Sequence, residues 1–158
     1  MLKKHIFAGL CVGFFAVFFA PCPLGAATVS VLVMESGPTR ENQGGQYPIL
    51  WENGLLEILF DSGHIVSNSH KLQIDEKPDG DFPPEAEMDF NNAREGGMDY
   101  FLIALIDYST PLVLLRLFDI RSTKMVLEQK HAVTMSRNNR DEIDKIKTAA
   151  RVMAAQIR

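Results

Sequence analysis

Cysteine is nearly absent from this chain of 158 residues: only Cys11 and Cys22 occur, both near the start. A chain that loses this first segment has no disulfide, no thiol nucleophile and no thiolate metal site. Excess positive charge is also missing, because 16 basic residues face 20 acidic ones and the net charge is −4. This composition lacks the basic footprint of a nucleic-acid-binding protein, and we expect no nucleic-acid partner.

Catalytic motifs are missing as well. The sequence has no G-x-S-x-G elbow, no H-E-x-x-H motif and no Walker A lysine after Gly44 and Gly45. The spacing of His64 and His70 suits neither a helical metal-binding pair nor a tight metal-binding turn. We therefore predict a protein that is not an enzyme and has neither a cofactor nor a metal site.

The first 27 residues have the order of a secretory signal peptide. Lys3 and Lys4 precede an apolar run over residues 6–20, and small residues follow at 25–27. The run covers about 15 residues, whereas a membrane-spanning helix needs roughly 20, so we expect no stable span after processing. The pattern predicts a signal peptide over residues 1–27, cleavage after Ala26 or Ala27, and a periplasmic location.

Cys22 leaves one alternative open. It could be the lipid-bearing first residue of a membrane-anchored lipoprotein. A lipobox usually has leucine three residues before the cysteine and a small residue just before it, but Phe19 and Pro21 stand there. We therefore favour the cleaved, unlipidated chain.

Hydrophobic patterning predicts one α/β domain over residues 28–158, an α+β sandwich with a single mixed sheet of about five strands and helices packed on it. The apolar run at residues 100–106 is the best candidate for the central strand. A broad apolar arc, including Ile49, Trp51 and Phe60, predicts that the first helix lies on the sheet. The predicted strands are residues 28–34, 64–68 (extended through 71–74), 112–120 and 125–133, and the predicted helices are 49–60, 85–95 and one from Asn139 onward.

Four polar residues within this pattern call for an explanation. Asp107 and Asp119 end strands, where aspartate commonly accepts turn hydrogen bonds, and we favour that over acid–base catalysis. Arg116 interrupts an apolar run and could pair with Glu52, but we favour a position at the solvent rim. His131 alternates with the charged residues of its strand, which predicts partial burial and a hydrogen-bonded ring nitrogen.

Two segments resemble the CsgG/LpoB/TolB amino-terminal-domain group. Residues 93–103 (AREGGMDYFLI) resemble a phrase at a helix end of that group, and residues 115–126 (LRLFDIRSTKMV) resemble its hairpin "LRLVDVRTGKVL". Thr123 stands where the group usually has the hairpin glycine, and Ala104 where a strand-end glycine is common. The resemblance implies an envelope accessory or adaptor module without the added segments that form a pore or a propeller.

Function and site are predicted together. We expect an exported, non-enzymatic module of the bacterial cell envelope that binds another envelope protein, and we leave a homo-oligomer open. Because loops after a first strand are often functional, residues 35–47 are the predicted interaction loop, and a small-ligand or enzymatic site there is the alternative. The predicted partner-binding residues are Arg40, Glu41, Asn42, Gln46, Tyr47 and Trp51, the last either an anchor or a core residue.

Overall fold

The computed structural model describes residues 25–37, 46–75, 78–133 and 139–157. These residues form a mixed six-stranded sheet with the order β2-β1-β4-β5-β6, and β3 pairs with β1 beyond β2. The predicted α+β architecture is therefore confirmed. The strands are β1 (Thr28–Ser36), β2 (Ile65–Asn68), β3 (Leu72–Ile74), β4 (Tyr100–Asp107), β5 (Leu112–Asp119) and β6 (Lys124–Ala132). The helices are α1 (Gln46–Asp61), α2 (Glu87–Glu95, after a 3-10 turn at Pro84–Ala86) and α3 (Asn139–Ala154).

The centre of the sheet is the parallel pair β1 and β4. Both strands are nearly continuous runs of apolar residues, and all eight residues of β4 are buried, as expected for strands covered on both faces. β5 and β6 then return as antiparallel neighbours. Consequently β1, β3, β4 and β6 all end at one edge, which we call the carboxyl edge of the sheet.

Helices α1 and α3 cover one face of the sheet, and α2 covers the other. Gly54 of α1 faces Ile146 of α3 so closely that a Cβ on Gly54 would lie 2.4 Å from a methyl carbon of Ile146. The α1/α3 face buries residues that include Val31, Trp51, Leu55, Leu102, Leu115, Ala150 and Met153. The α2 face buries residues that include Leu32, Met34, Phe90, Phe101, Ile103 and Phe118.

The first helix lies on the sheet as predicted, but its buried arc is narrower than predicted. Trp51 is fully buried, whereas Ile49 is 50% exposed and Phe60 is 68% exposed. The prediction that Ile49 and Phe60 belong to the core is therefore wrong. At 100° per residue both side chains fall opposite Trp51 and Ile58, on the side of α1 that faces solvent.

The β5–β6 hairpin supports the predicted turn chemistry. The Asp119 carboxylate accepts the Ser122 amide at 2.7 Å, so the turn prediction for this aspartate is confirmed. Thr123 adopts the left-handed conformation, with φ of 56°, at the position where the resembling family usually has glycine. This conformation is costly for a β-branched residue, so Thr123 adds local backbone strain to the hairpin turn.

Arg116 is buried, and the predicted position at the solvent rim is wrong. Its side chain lies on the α2 face, where Nε donates to Glu128 at 3.0 Å. Nη1 donates to the backbone carbonyls of Gly80 and Asp81 at 2.9 and 2.8 Å. Its partners are therefore a neighbouring strand and the loop before α2. Glu52 accepts instead from Asn68 at 2.7 Å.

Candidate interaction site at the carboxyl edge of the sheet

The described ends of the predicted interaction loop, residues 35–37 and 46–47, lie at the carboxyl edge, where β1 ends and α1 begins. Gln46 is the first residue of α1 and is exposed, and Tyr47 beside it is half-buried. Trp51, one turn further, is fully buried in the core. Its indole therefore does not reach the surface of the described residues. Three of the predicted residues, Arg40, Glu41 and Asn42, lie outside the described residues, and so does Cys22.

Tyr47 connects α1 to α3 through a short hydrogen bond. Its hydroxyl donates to Oε1 of Glu142, which is only 3% exposed. Burial is the main reason that the pKa of Tyr47 rises well above its usual value, and the bond to Glu142 raises it further. Tyr47 is therefore a permanent hydrogen-bond donor at any ordinary pH. Lys145 approaches the second oxygen of Glu142 at 3.5 Å.

The rings of Trp51 and His131 pack against each other near Tyr47 and Glu142. Their ring centroids are 5.9 Å apart, and Nε2 of His131 lies 2.9 Å from Oε1 of Gln129. The predicted partial burial and hydrogen bond of His131 are thus confirmed. Desolvation is the main reason that the pKa of His131 is lowered, and Lys145 lowers it further while Glu142 raises it. The ring is therefore held towards its neutral form.

A second polar group lies on the same face, at the end of β1. Glu35 is 3% exposed and forms an ion pair of 2.7 Å with Lys71. Burial, reinforced by the charge of Glu35, raises the pKa of Tyr108 to about 12. Tyr108 also contributes to the raised pKa of Tyr47, so the two groups lie within electrostatic reach of each other.

Two buried donors at this edge have no hydrogen-bond partner of normal geometry in the structure as described: Trp51 Nε1 and the Tyr108 hydroxyl. The indole N–H still lies close enough to the Tyr47 oxygen to lower the pKa of that tyrosine. Buried polar atoms without partners are uncommon in folded proteins. Together with buried Glu35 and Glu142, they make this edge the most polar part of the α1/α3 core.

Asp107 ends β4 at the same edge and has a turn role. Its carboxylate accepts the Ser109 amide at 2.9 Å and the Thr110 amide at 3.2 Å, and it also accepts the Thr110 hydroxyl. The turn prediction for Asp107 is therefore confirmed. The same turn approaches Gly37, where a Cβ would lie 2.6 Å from Oγ of Ser109. The close contact and the φ of 88° at Gly37 together favour glycine at the exit of β1.

Sequence analysis identified Tyr47 and Trp51 at this edge but not Glu35, Tyr108 or Glu142. Glu35 and Glu142 are charged residues next to apolar ones, a pattern that is also typical of solvent-exposed positions. The alternation of side chains along β1 could have indicated Glu35, because Glu35 points to the same side of the sheet as Val31 and Val33. Their partners, Lys71 and Tyr47, are distant in sequence and become visible only in the fold.

Two open depressions lie on the opposite face, near α2, and they share Glu85. One has a volume of about 530 Å³ and is lined by Gln73, Ile74, Asp75 and Glu85. The other, of about 410 Å³, is lined by residues of the 3-10 turn and α2. Within residues 25–37, 46–75, 78–133 and 139–157, no group of three potential metal ligands occurs. In that same part of the chain, no helix is long and apolar enough to cross a membrane.

This architecture defines a mixed-sheet α+β domain with helices on both faces, and solved structures with a similar arrangement exist. PelC from Paraburkholderia phytofirmans, described as a dodecamer, matches with a TM-score of 0.50 and 13% identity, over 84% of this chain and 89% of that chain. At this identity the match shows a shared fold and nothing more. Neither a protein-family model nor a curated protein sequence matches the chain.

Two further matches carry the names that the sequence resemblance suggested. TolB from Acinetobacter baumannii has a TM-score of 0.42 and 17% identity, over 84% of this chain and 27% of that one. The LpoB C-terminal domain from Escherichia coli has a TM-score of 0.41 and 13% identity, over 67% of this chain and 82% of that one. The structures similar to this chain thus include the TolB and LpoB folds named by the resemblance. At these TM-scores we draw no functional argument from them.

Proposed function

We propose that this protein is an exported, non-enzymatic module of the bacterial cell envelope and that it acts by binding another protein. The observation that carries the proposal is the set of large apolar side chains left in solvent although the core is complete. Ile49 and Phe60, which lie on the same side of α1, are 50% and 68% exposed. Grouped exposed apolar surface commonly marks a protein interaction site.

The polar edge also supports a role without catalysis. Tyr47 binds Glu142, Lys71 binds Glu35, and Asp107 binds turn amides and a hydroxyl. These carboxylates stabilise helices, strands and turns. A catalytic base, by contrast, has to reach a substrate proton from a cleft.

Capture from envelope extract tests the binding role. The chain beginning at Ala27 is immobilised, and bound proteins are cross-linked and identified by mass spectrometry. A single enriched envelope protein, competed away by free chain, is the expected result. Enrichment of another copy of the same chain would instead favour self-assembly, the state in which PelC is described. Recovery of neither would contradict the proposed function.

The predicted loop residues require their own comparison. Arg40→Ala with Gln46→Ala removes side chains from the loop and from the exposed start of α1, while the Tyr47–Glu142 bond stays intact. We expect this variant to recover less partner than the wild type. The matched control is Arg94→Ala with Gln156→Ala, which changes the same residue types at exposed positions away from the carboxyl edge. Equal recovery by both variants would remove the loop from the interaction site.

Processing at residues 26–27 follows from the same proposal. The Ala27 carbonyl accepts the Ile65 amide at 2.9 Å, and the Thr28 amide donates to Asp99 at 2.9 Å. Cleavage after Ala26 preserves both bonds. Cleavage after Ala27 loses the first bond and places an ammonium group beside Asp99. Intact mass of the exported protein distinguishes the two, and a lipid-modified Cys22 would establish the anchored alternative.

One observation favours a second function, the binding of a small molecule at the carboxyl edge. The buried Tyr108 hydroxyl and Trp51 Nε1 have no regular partner in the described structure, as expected of atoms that face a ligand. Native mass spectrometry of the purified protein tests this role. A bound molecule that is lost in Tyr108→Phe would support it, and an identical unliganded mass in both proteins would argue against it.

A further inference from the structure

Helix α1 has a second apolar face that points away from the sheet. Ile49, Leu56 and Phe60 are separated by seven and four residues, so at 100° per residue they fall within an arc of about 40°. We call these three residues the outer apolar stripe. Ile49 and Phe60 are 50% and 68% exposed, and Leu56 is half-buried. The stripe spans three turns, about 16 Å, which is enough to contact one partner helix.

Within the outer apolar stripe, Leu56 packs partly against the core, whereas Ile49 and Phe60 are not among the residues that hold α1 in place. The buried side chains of the helix are Pro48, Trp51, Leu55, Ile58 and Leu59, on the opposite side. Exposure of Ile49 and Phe60 to water forfeits the favourable free energy of burying their apolar surface. A partner that covers the stripe would recover part of this free energy.

The charges beside the stripe restrict the kind of partner. α1 contains Glu52, Glu57 and Asp61 but neither lysine nor arginine. Glu52 flanks the stripe on the β2 side, where it accepts from Asn68. Glu57 flanks it on the α3 side, 3.4 Å from the half-exposed Lys147. An apolar strip between carboxylates is complementary to an apolar strip between basic residues.

We propose that the outer apolar stripe binds an amphipathic helix of a partner protein whose apolar face is bordered by lysine or arginine, an inference that rests on the proposed binding function. The contact is a helix–helix interface in which Ile49, Leu56 and Phe60 supply the buried centre and Glu52 and Glu57 the polar rim.

Two other occupants fit less well. An antiparallel contact between two copies that sets Ile49 opposite Phe60 also sets Glu52 opposite Glu57, so carboxylates would face each other at both ends. An anionic lipid surface attracts basic helices, and the three carboxylates of α1 would be repelled.

A synthetic helix tests the surface without knowledge of the natural partner. The probe is a peptide of about four turns with leucine at helical spacing and lysine elsewhere, and its charge-reversed counterpart has glutamate in place of lysine. Titration calorimetry should show that the lysine peptide binds the wild type at least tenfold more tightly than the glutamate peptide. Equal affinity for both peptides would overturn the electrostatic part of the proposal.

Matched double variants locate the contact. Ile49→Ser with Phe60→Ser removes two exposed apolar side chains from the stripe, and Met88→Ser with Ile65→Ser removes two that are 69% and 59% exposed elsewhere. We expect the first variant to bind the lysine peptide at least tenfold more weakly and the second to bind it like the wild type. Equal loss in both variants, or in neither, would overturn the assignment. Circular dichroism checks that each variant keeps its fold.

The same variants distinguish this inference from the proposed function. A partner captured equally by the wild type and by Ile49→Ser/Phe60→Ser refutes the stripe and leaves the binding function standing. Absence of any captured protein refutes the binding function itself. Sedimentation equilibrium tests for self-association, and flotation with anionic vesicles tests for lipid binding. If either is observed and depends on Phe60, the proposed partner class is overturned.

Discussion

The two faces of the sheet are covered by different means. On one face, α1 and α3, of 16 residues each, pack against the strands and against each other. On the other face, α2 has only nine residues, and the loop before it supplies the rest of the cover. That loop contributes Phe82, whose ring lies 5.2 Å from the rings of both Phe90 and Phe118 in edge-to-face contact.

The difference between the helix-covered face and the partly loop-covered face shows where a buried arginine stabilises the fold. A helix satisfies most of its own backbone groups, so α1 and α3 need few side-chain donors from the sheet to pair their backbone carbonyls. A loop brings unpaired carbonyls against the sheet, and these need donors. Arg116 supplies them by binding Gly80 and Asp81. The arginine thus replaces, for an irregular segment, the internal hydrogen bonds of a helix.

The largest effect is expected from Arg116→Met. It removes the donors to the loop carbonyls while keeping an apolar side chain of similar length, and it leaves Glu128 without this partner. Loss of three hydrogen bonds from a charged donor, two of them to buried loop carbonyls, should lower the free energy of unfolding by about 3 kcal/mol. Urea denaturation measures the change. Glu128→Gln, which keeps an acceptor for Arg116, should cost far less, and equal losses would show that the carbonyl bonds are unimportant.

A smaller loss, on the other face, is expected from Gly54→Val. The added Cβ meets Ile146 at 2.4 Å, so α1 and α3 must separate. Overpacking of this kind should lower the free energy of unfolding by about 2 kcal/mol. The control is Asn53→Val, the same residue type at the adjacent exposed position of the helix. Since valine has a higher helix propensity than glycine, propensity cannot explain a loss at Gly54, and equal losses in both variants would argue against close packing as its cause.

At the polar edge we expect Tyr47→Phe to lower the free energy of unfolding by about 1.5 kcal/mol, because buried Glu142 loses its hydroxyl donor. Thermal unfolding monitored by circular dichroism measures the loss. Tyr108→Phe is the matched control, since that hydroxyl has no partner among the described residues. A neutral or stabilising effect is expected there. A reversed ranking would mean that Tyr108 contacts something essential.

The smallest change in stability is expected in the turn of the β5–β6 hairpin, which belongs to neither covered face of the sheet. Thr123→Gly relieves the left-handed conformation, which costs a side-chain-bearing residue about 1–2 kcal/mol. Glycine adds freedom to the unfolded chain, which offsets about 0.5–1 kcal/mol of that gain. We expect a net stabilisation of about 0.5 kcal/mol by urea denaturation. A destabilised variant would indicate that the bond from the Thr123 hydroxyl to the Ser122 carbonyl outweighs the strain.

The α1/α3 face was the easier one to predict from the sequence. The period of three and four in α3 correctly predicted burial of Ile146, Ala150 and Met153. For α1 the apolar residues occur around most of the helix, so periodicity alone could not separate buried Trp51 from exposed Phe60. Arg116 was placed wrongly because its partners are backbone carbonyls, which leave no signal in side-chain types.

The pairing of β1 with β4 has a consequence for the order of folding. Thr28 and Asp99 exchange hydrogen bonds across 71 residues of sequence, whereas β4, β5 and β6 follow one another through short turns. Distant pairings form late because loop closure costs entropy before any contact forms. We therefore expect the β4–β5–β6 meander to fold first and β1 to dock afterwards. Replacing Leu115 of β5 by a smaller residue should slow folding, whereas Thr28→Ala in β1 should mainly accelerate unfolding.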